Sequence, residues 1–157
     1  RPRPLATPSA FYASLRDGGE EMTYPWPDDL QMEADVPAMF DQDTADQVVM
    51  VGRVQRPGLI NSVEYIPGWT RAGANTNYRT LSVYNRGKTG AGTALVATLA
   101  LTAGVDLTKF VSKVITLGAA ADRVIVVGDV LEYVSSPTGT GAADPGGCLI
   151  VQQALGN

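Results

Sequence analysis

Two carboxylates three residues apart, Asp129 and Glu132, have the residue types best suited to catalysis in this chain. Paired carboxylates on either side of a glycosidic bond hydrolyse sugars by acid and base catalysis. Both residues fall in a run that predicts a β-strand, and residues three apart on a strand point to opposite faces of the sheet. The pair therefore cannot flank one bond without a bulge, and Gly128-Asp129 is interpreted as a turn or bulge where a strand begins.

Two glycine-containing segments resemble fragments of phosphate-binding loops. Residues 86–89 (RGKT) match the end of a P-loop, but Ser82 occupies the position of its first glycine, and a strand follows where a helix is needed. Residues 139–141 (GTG) match the opening of a dinucleotide-binding fingerprint, but Asp144 replaces the third glycine and no helix follows. Both segments are interpreted as turns, and no nucleotide cofactor is expected.

None of the 157 residues of the chain is histidine. This excludes Ser-His-Asp and Cys-His nucleophilic systems, most transition-metal sites and the usual general base near neutral pH. Asp41, Asp43 and Asp46 have carboxylates that calcium prefers, but the glycine and the distal glutamate of an EF-hand loop are missing. The acidic segment is interpreted as a solvated linker. We therefore expect no enzyme activity, no metal and no cofactor.

Charge, proline and glycine divide the chain near Asp46. Residues 1–46 contain ten acidic residues, three basic residues and six of the ten prolines, whereas residues 47–157 contain nine basic residues, six acidic residues and fifteen of the 17 glycines. Proline removes a backbone donor and favours extended geometry in the residue before it. We predict an extended, acidic, proline-rich N-terminal arm over 1–46 and a folded domain over 47–157.

An arm of this composition needs another surface in order to adopt a fixed conformation. Fixing the backbone of each residue costs about 1–2 kcal/mol, and the polar side chains of the arm do not offset that cost. We expect a neighbouring molecule to hold it, with folding back onto its own domain as the alternative. The predicted contact residues are aromatic or methionine side chains: Phe11, Tyr12, Tyr24, Trp26, Met32, Met39 and Phe40.

The rest of the chain consists of short apolar runs separated by Gly, Pro and Asn, which is typical of an all-β sandwich or barrel. The last run predicts the closing strand, with Leu149 and Val151 on one face. Residues 86–93 predict a hairpin loop, and residues 69–79 predict a crossover between sheets or an exposed loop. The predicted strands are 48–54, 59–66, 80–85, 94–101, 110–117, 123–136 and 148–155.

Aromatic and basic residues surround the predicted crossover. Trp69, Tyr78 and Tyr84 are candidates for a sugar-stacking platform, but packing beneath the crossover or at a subunit interface is the favoured interpretation. Four basic residues near the same loop predict a surface complementary in sign to the acidic arm, with ordinary surface charge as the alternative. These are Arg71, Arg79, Arg86 and Lys88. The residues predicted for a loop interface are Trp69, Arg71, Tyr78 and Arg79.

Composition also bears on partners. A net charge of −4 argues against general nucleic-acid binding, which depends on clustered Lys and Arg. The opening residues lack the apolar stretch of a signal peptide, and no apolar run reaches the roughly 18 residues of a membrane span. Cys148, the single cysteine, lies in an apolar strand and is predicted to be a buried free thiol. Neither nucleic acid nor membrane is an expected partner.

Three stretches carry a resemblance to a known family: NYRTLSVYNRGKTGAGTALVATLALTAGV, an apolar run ending in ITL, and GDVLEYVSSPTGTGAADPGGCLIV. They cover about residues 80–152, roughly half of the chain. Together they are similar to small virion proteins of tailed bacteriophages, known as capsid decoration, cement or minor head proteins. The pattern is one of strands and turns, and the N-terminal arm is not part of it.

The resemblance implies a jelly-roll-like antiparallel β-sandwich, which the arm precedes. It also implies a structural virion protein on the outer surface of the capsid, often a homotrimer, that bridges neighbouring subunits of the major capsid protein. Its expected partners are the major capsid protein and neighbouring copies of itself. The alternative function is a carbohydrate-binding or receptor-binding sandwich module of a phage head or tail fibre.

Overall fold

The computed structural model describes residues 29–39, 44–140 and 142–155. Over these residues the protein consists of two antiparallel β-sheets, each of five strands. A 3₁₀ turn over Ala120–Arg123 is the helical element of this part of the chain. The strands are β1 Asp29–Val36, β2 Gln47–Arg53, β3 Gly58–Pro67, β4 Tyr78–Asn85, β5 Ala94–Ala100, β6 Lys113–Val114, β7 Thr116–Leu117, β8 Val124–Ile125, β9 Val130–Thr138 and β10 Gly147–Leu155.

The order of the strands is that of a jelly roll. The first sheet runs β1-β10-β3-β6, with β8 also paired to β3, and the second runs β2-β9-β4-β5-β7. Strands β1 to β4 alternate between the sheets, and β9 and β10 then insert beside them, which is the double Greek key of this fold. The predicted all-β, jelly-roll-like sandwich is confirmed.

The core lies between the sheets, where alternate residues of the long strands meet. Leu81 and Val83 of β4 face Leu149 and Val151 of β10, and all four have 0% exposure. Burial of each such aliphatic side chain contributes about 1.5–3 kcal/mol. The prediction that Leu149 and Val151 share one face of β10 is confirmed, and that face is the buried one. β10 lies inside its sheet, between β1 and β3.

One side of the sandwich is closed by a segment that passes between the sheets. Residues 110–117 were predicted to be one strand, but the structure divides them into β6, which pairs with β3, and β7, which pairs with β5. Ile115 lies between the two short strands with 0% exposure, and its N–H donates to the Val63 carbonyl at 2.8 Å. The single-strand prediction is wrong because burial of Ile115 requires the chain to cross here.

The predicted strand over residues 123–136 is also interrupted. Gly128 has φ of +94°, a conformation that favours glycine, and the Val126 N–H donates to the Asp129 carboxylate at 3.0 Å. These features form a tight turn between β8 and β9, as the Gly128-Asp129 sequence predicts. Val126 and Val127 therefore lie exposed on the turn.

The sandwich begins earlier in the chain than the sequence predicts. Residues 29–36, part of the predicted arm, form strand β1, which pairs with β10 in antiparallel register over eight residue pairs. Ala34 and Val36 of β1 are buried against the core. The alternation of apolar and polar residues in DLQMEADV is the strand signal that proline content obscured. The arm boundary at Asp46 is therefore corrected, and residues 1–28 lie outside the described residues.

Cys148 is a free cysteine in β10, and it is half-buried, whereas the sequence predicts a buried thiol. Partial burial raises the pKa of its thiol, and the neighbouring Glu33 and Asp35 on β1 add to that shift. The residue therefore lies on the outward side of the first sheet, beside the acidic side chains of β1.

A buried polar cluster joins the two sheets at one end. The Asp144 carboxylate, with 0% exposure, accepts hydrogen bonds from the hydroxyl of Tyr65 on β3 at 2.7 Å and of Tyr133 on β9 at 3.1 Å. It also accepts the Gly146 N–H at 2.9 Å. Burial raises the pKa of both tyrosine hydroxyls above the ordinary value near 10.0, and the Asp144 charge raises it further.

Arg79, at the start of β4, stabilises the same end of the sandwich. Its side chain is 1% exposed, and it donates to the Ala142 carbonyl at 2.6 Å and to the Ser135 carbonyl at 2.8 Å. A buried guanidinium needs such partners because its desolvation is costly. Arg79 thus holds the connection between β9 and β10 against β4 and β9.

The free energy of unfolding is expected to fall as pH rises above about 10. Folded Tyr65 and Tyr133 keep their protons there, whereas tyrosines of the unfolded chain ionise, so the unfolded state binds fewer protons. Urea unfolding between about pH 9 and pH 11 measures this slope. Tyr65→Phe, which removes one titrating group, is expected to make the slope shallower; an equal slope in both proteins would contradict the assignment.

Replacing Arg79 by lysine is expected to destabilise the protein by about 1–3 kcal/mol, because lysine cannot donate to both carbonyls and leaves a buried acceptor unpaired. The measurement is chemical unfolding at neutral pH. The matched control is Arg56→Lys on the exposed connection between β2 and β3, where a change within about 0.5 kcal/mol is expected. Similar small effects at both positions would show that Arg79 has no structural role.

Candidate protein interaction surface

Four connections gather at the end of the sandwich that Asp144 and Arg79 organise. The Met39 N–H donates to the Asp144 carbonyl at 2.9 Å, and the Gly68 N–H donates to the Gly146 carbonyl at 2.7 Å. These bonds join separate connections to one another. The described parts of the four connections are 37–39 and 44–46 between β1 and β2, 68–77 between β3 and β4, 101–112 between β5 and β6, and 139–140 and 142–146 between β9 and β10.

The β3–β4 and β5–β6 loops are hydrogen-bonded to each other as if they were short strands. Arg71 and Leu107 exchange backbone hydrogen bonds of 2.8 Å in both directions, and Leu107 is fully buried. The Gly73 N–H donates to the Asp106 carboxylate at 2.8 Å. A Cβ atom on Gly73 would lie 1.9 Å from the Thr102 carbonyl oxygen, so this contact requires glycine. The two loops therefore form one fixed unit.

Phe110 lies at the tip of this unit in an unusual conformation. Its φ is +61°, and it is the only non-glycine residue with positive φ among the described residues. This region costs a bulky residue about 1–2 kcal/mol. Hydrogen bonds on both sides hold it. Before the ring, the Lys109 N–H donates to the Thr70 hydroxyl at 3.1 Å and the Phe110 N–H to the Pro67 carbonyl at 2.9 Å. After it, the Val111 N–H donates to the Thr108 carbonyl at 3.0 Å and closes a four-residue turn.

The Phe110 side chain points into solvent in spite of its size. It is 72% exposed, and the Lys109 ammonium lies 4.8 Å from the centre of its ring. Trp69 and Val111 on the same two loops are 46% and 56% exposed. We name these three residues, Trp69, Phe110 and Val111, the loop patch. Large apolar side chains held on rigid, strained loops are typical of contact sites for other proteins.

The structure brings the sequence-predicted loop residues to this end but gives them different roles. Trp69 is exposed, and Arg71 is half-buried in its backbone pair with Leu107. Tyr78 is partly buried against the core, and Arg79 is buried. Of the four residues, Trp69 belongs to the loop patch, while Tyr78 and Arg79 support the loops from inside.

The predicted sugar platform and the predicted basic face do not form. Tyr84 lies six residues along β4 from Tyr78, about 20 Å away at the rise of a strand. Arg86 lies at that far end as well, donating to Glu132 at 2.8 Å with its guanidinium 4.7 Å from the Tyr84 ring centre. The sequence placed these residues near one loop, but β4 carries them to opposite ends of the sandwich.

The predicted arm contacts fall mostly outside the described residues, as is the case for Phe11, Tyr12, Tyr24, Trp26 and Phe40. The two methionines of this set are described. Met32 lies on β1 and packs against the core. Met39 is half-buried in its bridge to Asp144. Both therefore belong to the sandwich.

Phe110 and Val111 were not predicted as functional residues. They begin an apolar run, FVSKVITL, which predicts a strand. Positive φ at Phe110 accompanies a local turn, closed by the Val111 N–H and the Thr108 carbonyl, together with the tertiary bond to Pro67. Position 110 carries neither Gly nor Asn, the residues that usually signal such a turn. The usable signal was the preceding TAGVDLTK, whose Gly and Asp favour a loop.

The carboxylates considered for catalysis have structural partners. Asp129 is 6% exposed and accepts from the Asn85 amide at 2.9 Å, and Glu132 pairs with Arg86 on the outer face of the second sheet. Among the described residues no three His, Cys, Asp or Glu side chains cluster as metal ligands do. No helix in this part of the chain has the length and apolar character to cross a membrane.

No family model matches this chain, and no curated protein matches it. Two solved virus structures contain similar chains. A chain of infectious bursal disease virus, Gx strain, has a TM-score of 0.40 and 14% identity, covering 82% of this chain and 33% of that chain. A chain of the Gt strain of that virus has a TM-score of 0.29 and 17% identity, covering 80% of this chain and 31% of that chain. The protein thus spans about a third of the length of these neighbours.

Phe110→Gly is expected to be more stable than Phe110→Ala by about 1 kcal/mol, because glycine adopts positive φ without strain. Both variants lose the same exposed ring, so their difference isolates the backbone. Thermal unfolding measures it. The control pair is Val111→Gly and Val111→Ala, where φ is not positive and alanine is expected to be the more stable. The same preference for alanine at position 110 would refute backbone strain there.

Proposed function

We propose that this protein is a structural virion component of a tailed bacteriophage that decorates the capsid and bridges neighbouring subunits of the major capsid protein. In this proposal the loop patch is a contact with the shell. The sandwich serves as the rigid body that carries it, on the outer surface of the particle.

The observation that carries the proposal is the conformation of Phe110. A strained backbone that exposes an aromatic ring is unfavourable in the isolated protein, since it costs free energy and leaves apolar area in water. A partner that covers the ring removes the exposed apolar area, while the backbone conformation is kept because it holds the ring in position for that contact. Because the loops are already fixed by hydrogen bonds, binding loses little further conformational entropy.

The sequence resemblance supports the phage assignment. The resembling stretches correspond to strands β4, β5, β9 and much of β10, together with the β9–β10 connection that holds Asp144. They therefore form the central strands of the second sheet and the cluster that organises the loop end. The loop patch lies next to this region on loops of the same end.

Many copies on a repeating shell make modest contacts sufficient. Linking several weak contacts raises their effective concentration, so that overall binding exceeds that of any one of them. The N-terminal residues Phe11, Tyr12, Tyr24, Trp26 and Phe40 are proposed as a second set of contacts, because their segment is too polar to fold alone. Deletion of residues 1–46 would remove β1, so substitutions are the cleaner way to probe this segment.

Phe110→Asp in the full chain is expected to weaken binding to capsid shells at least about tenfold, because it places a charge in a desolvated contact. The assay is co-sedimentation with shells assembled from the major capsid protein of the same virus without this chain. Val124→Asp is the control, since Val124 is 55% exposed on β8, away from the loop patch, and no change is expected.

Two results would argue against the proposal in different ways. Wild-type protein that does not co-sediment with shells would overturn the decoration function. If wild type binds shells and both Phe110→Asp and Val124→Asp bind them equally well, the decoration function stands. In that case the loop patch is not part of the contact. The double variant Tyr24→Ala/Trp26→Ala tests the N-terminal contacts in the same assay, with loss of binding expected.

A further inference from the structure

β2 is an edge strand of the second sheet, and among the described residues it pairs with one other strand. β2 pairs with β9 on one side, antiparallel from Gln47 to Arg53, with a shift of register between Met50 and Gly52. Its other side is an edge of the order β2-β9-β4-β5-β7. An edge strand presents backbone donors and acceptors to which another strand can add.

This edge lacks the charged side chains that usually protect such strands. No residue from Gln47 to Gly52 is charged, and the outward side chains Val48 and Met50 are 58% and 70% exposed. The edge of the first sheet differs, because β1 exposes Glu33 and Asp35. Charges on an edge oppose pairing with another chain. Among the described residues, β1 is therefore an edge with charged side chains, whereas β2 is an edge with apolar ones.

Charges at the two ends of β2 indicate what pairs with it. Asp46, which is exposed, immediately precedes the strand, and Arg53, also exposed, ends it. If a second copy of β2 lies alongside in antiparallel orientation, Asp46 of each copy comes near Arg53 of the other. A parallel arrangement would bring like charges together. The edge is thus complementary to itself in one orientation.

We propose that two copies of this chain associate through antiparallel pairing of β2 with β2 about a two-fold axis near Val49. Side chains that lie opposite each other must share a face of the sheet. Val48 therefore lies opposite Met50 of the second copy, and both pairs form one apolar strip on the outer face. The contact is isologous, and the two second sheets become continuous across it.

This association is independent of the proposed capsid function, because it uses neither the loop patch nor the N-terminal residues. It also differs from the homotrimer that the sequence resemblance implies. The mass of the protein in solution therefore decides between the two arrangements.

The first experiment is sedimentation equilibrium of the full chain over a range of concentrations, with wild type, Met50→Lys and Val124→Lys. Wild type is expected to be a dimer, and Met50→Lys is expected to weaken it at least tenfold by placing like charges on the shared edge. Val124→Lys adds the same charge at a similarly exposed valine on β8 and is expected to remain dimeric. A monomeric or trimeric wild type overturns the proposal, as does a Met50→Lys protein that dimerises normally.

Exchange of the end charges tests the orientation. Asp46→Arg and Arg53→Asp are each expected to weaken the dimer, and the double variant is expected to restore it, since the opposite charges then meet again. Failure of the double variant to recover dimerisation excludes antiparallel pairing in this register.

Amide hydrogen exchange of the wild-type protein tests the proposal without any variant. Protection of the β2 amides is expected to increase with protein concentration, while that of β4, inside the same sheet, stays constant. Concentration-independent exchange across β2 overturns the proposal even if substitutions unfold the chain.

Discussion

The structure depends on the burial of one ionisable side chain between the two sheets. Asp144 accepts from Tyr65 in the first sheet, from Tyr133 in the second and from Gly146 in its own loop. A carboxylate in the interior is tolerated only when such donors surround it, because the loss of hydration is otherwise uncompensated. The need to satisfy Asp144 therefore orders a connection made mostly of Gly, Ala and Pro. That connection in turn holds the other loops at this end, among them the one that leads to Trp69.

Much of the fold is predictable from the sequence because its strands are short, apolar and separated by Gly, Pro and Asn. The runs over β2, β3, β4, β5 and β10, the hairpin between β4 and β5 and the crossover after β3 are all where the pattern predicts them. The errors occur where tertiary contacts override local pattern. Ile115 draws the chain from one sheet to the other, and Asp129 folds a valine-rich run into a turn. β1 was missed because prolines in its surroundings outweighed a clear alternation of side chains.

The candidate interaction surface was predictable only in part. The sequence predicts that Trp69 lies on a loop between two strands, and the structure shows it exposed in the loop patch. Burial of Arg79 could not be predicted, because the carbonyls that hold it come from residues 56 and 63 positions further along the chain. The same is true in part of Phe110, whose N–H donates to the distant Pro67 carbonyl, although the turn from Thr108 to Val111 is local. Sequence pattern identifies residues that lie near a loop, whereas their exposure is decided by hydrogen bonds between distant segments.

The crossing of the chain at Ile115 also affects how many copies of the protein can associate through the edges of their sheets. On the side opposite to β2, the first sheet finishes in two strands of two residues, β6 and β8, and the second sheet finishes in β7, also of two residues. The chain between β6 and β7 occupies the gap between the sheets. Strands that short offer too few backbone groups to template another chain. Polymerisation into fibrils needs two competent edges per molecule, and the acidic β1 is a poor second one. The described strands therefore favour a finite, closed product of edge-to-edge association over continued growth.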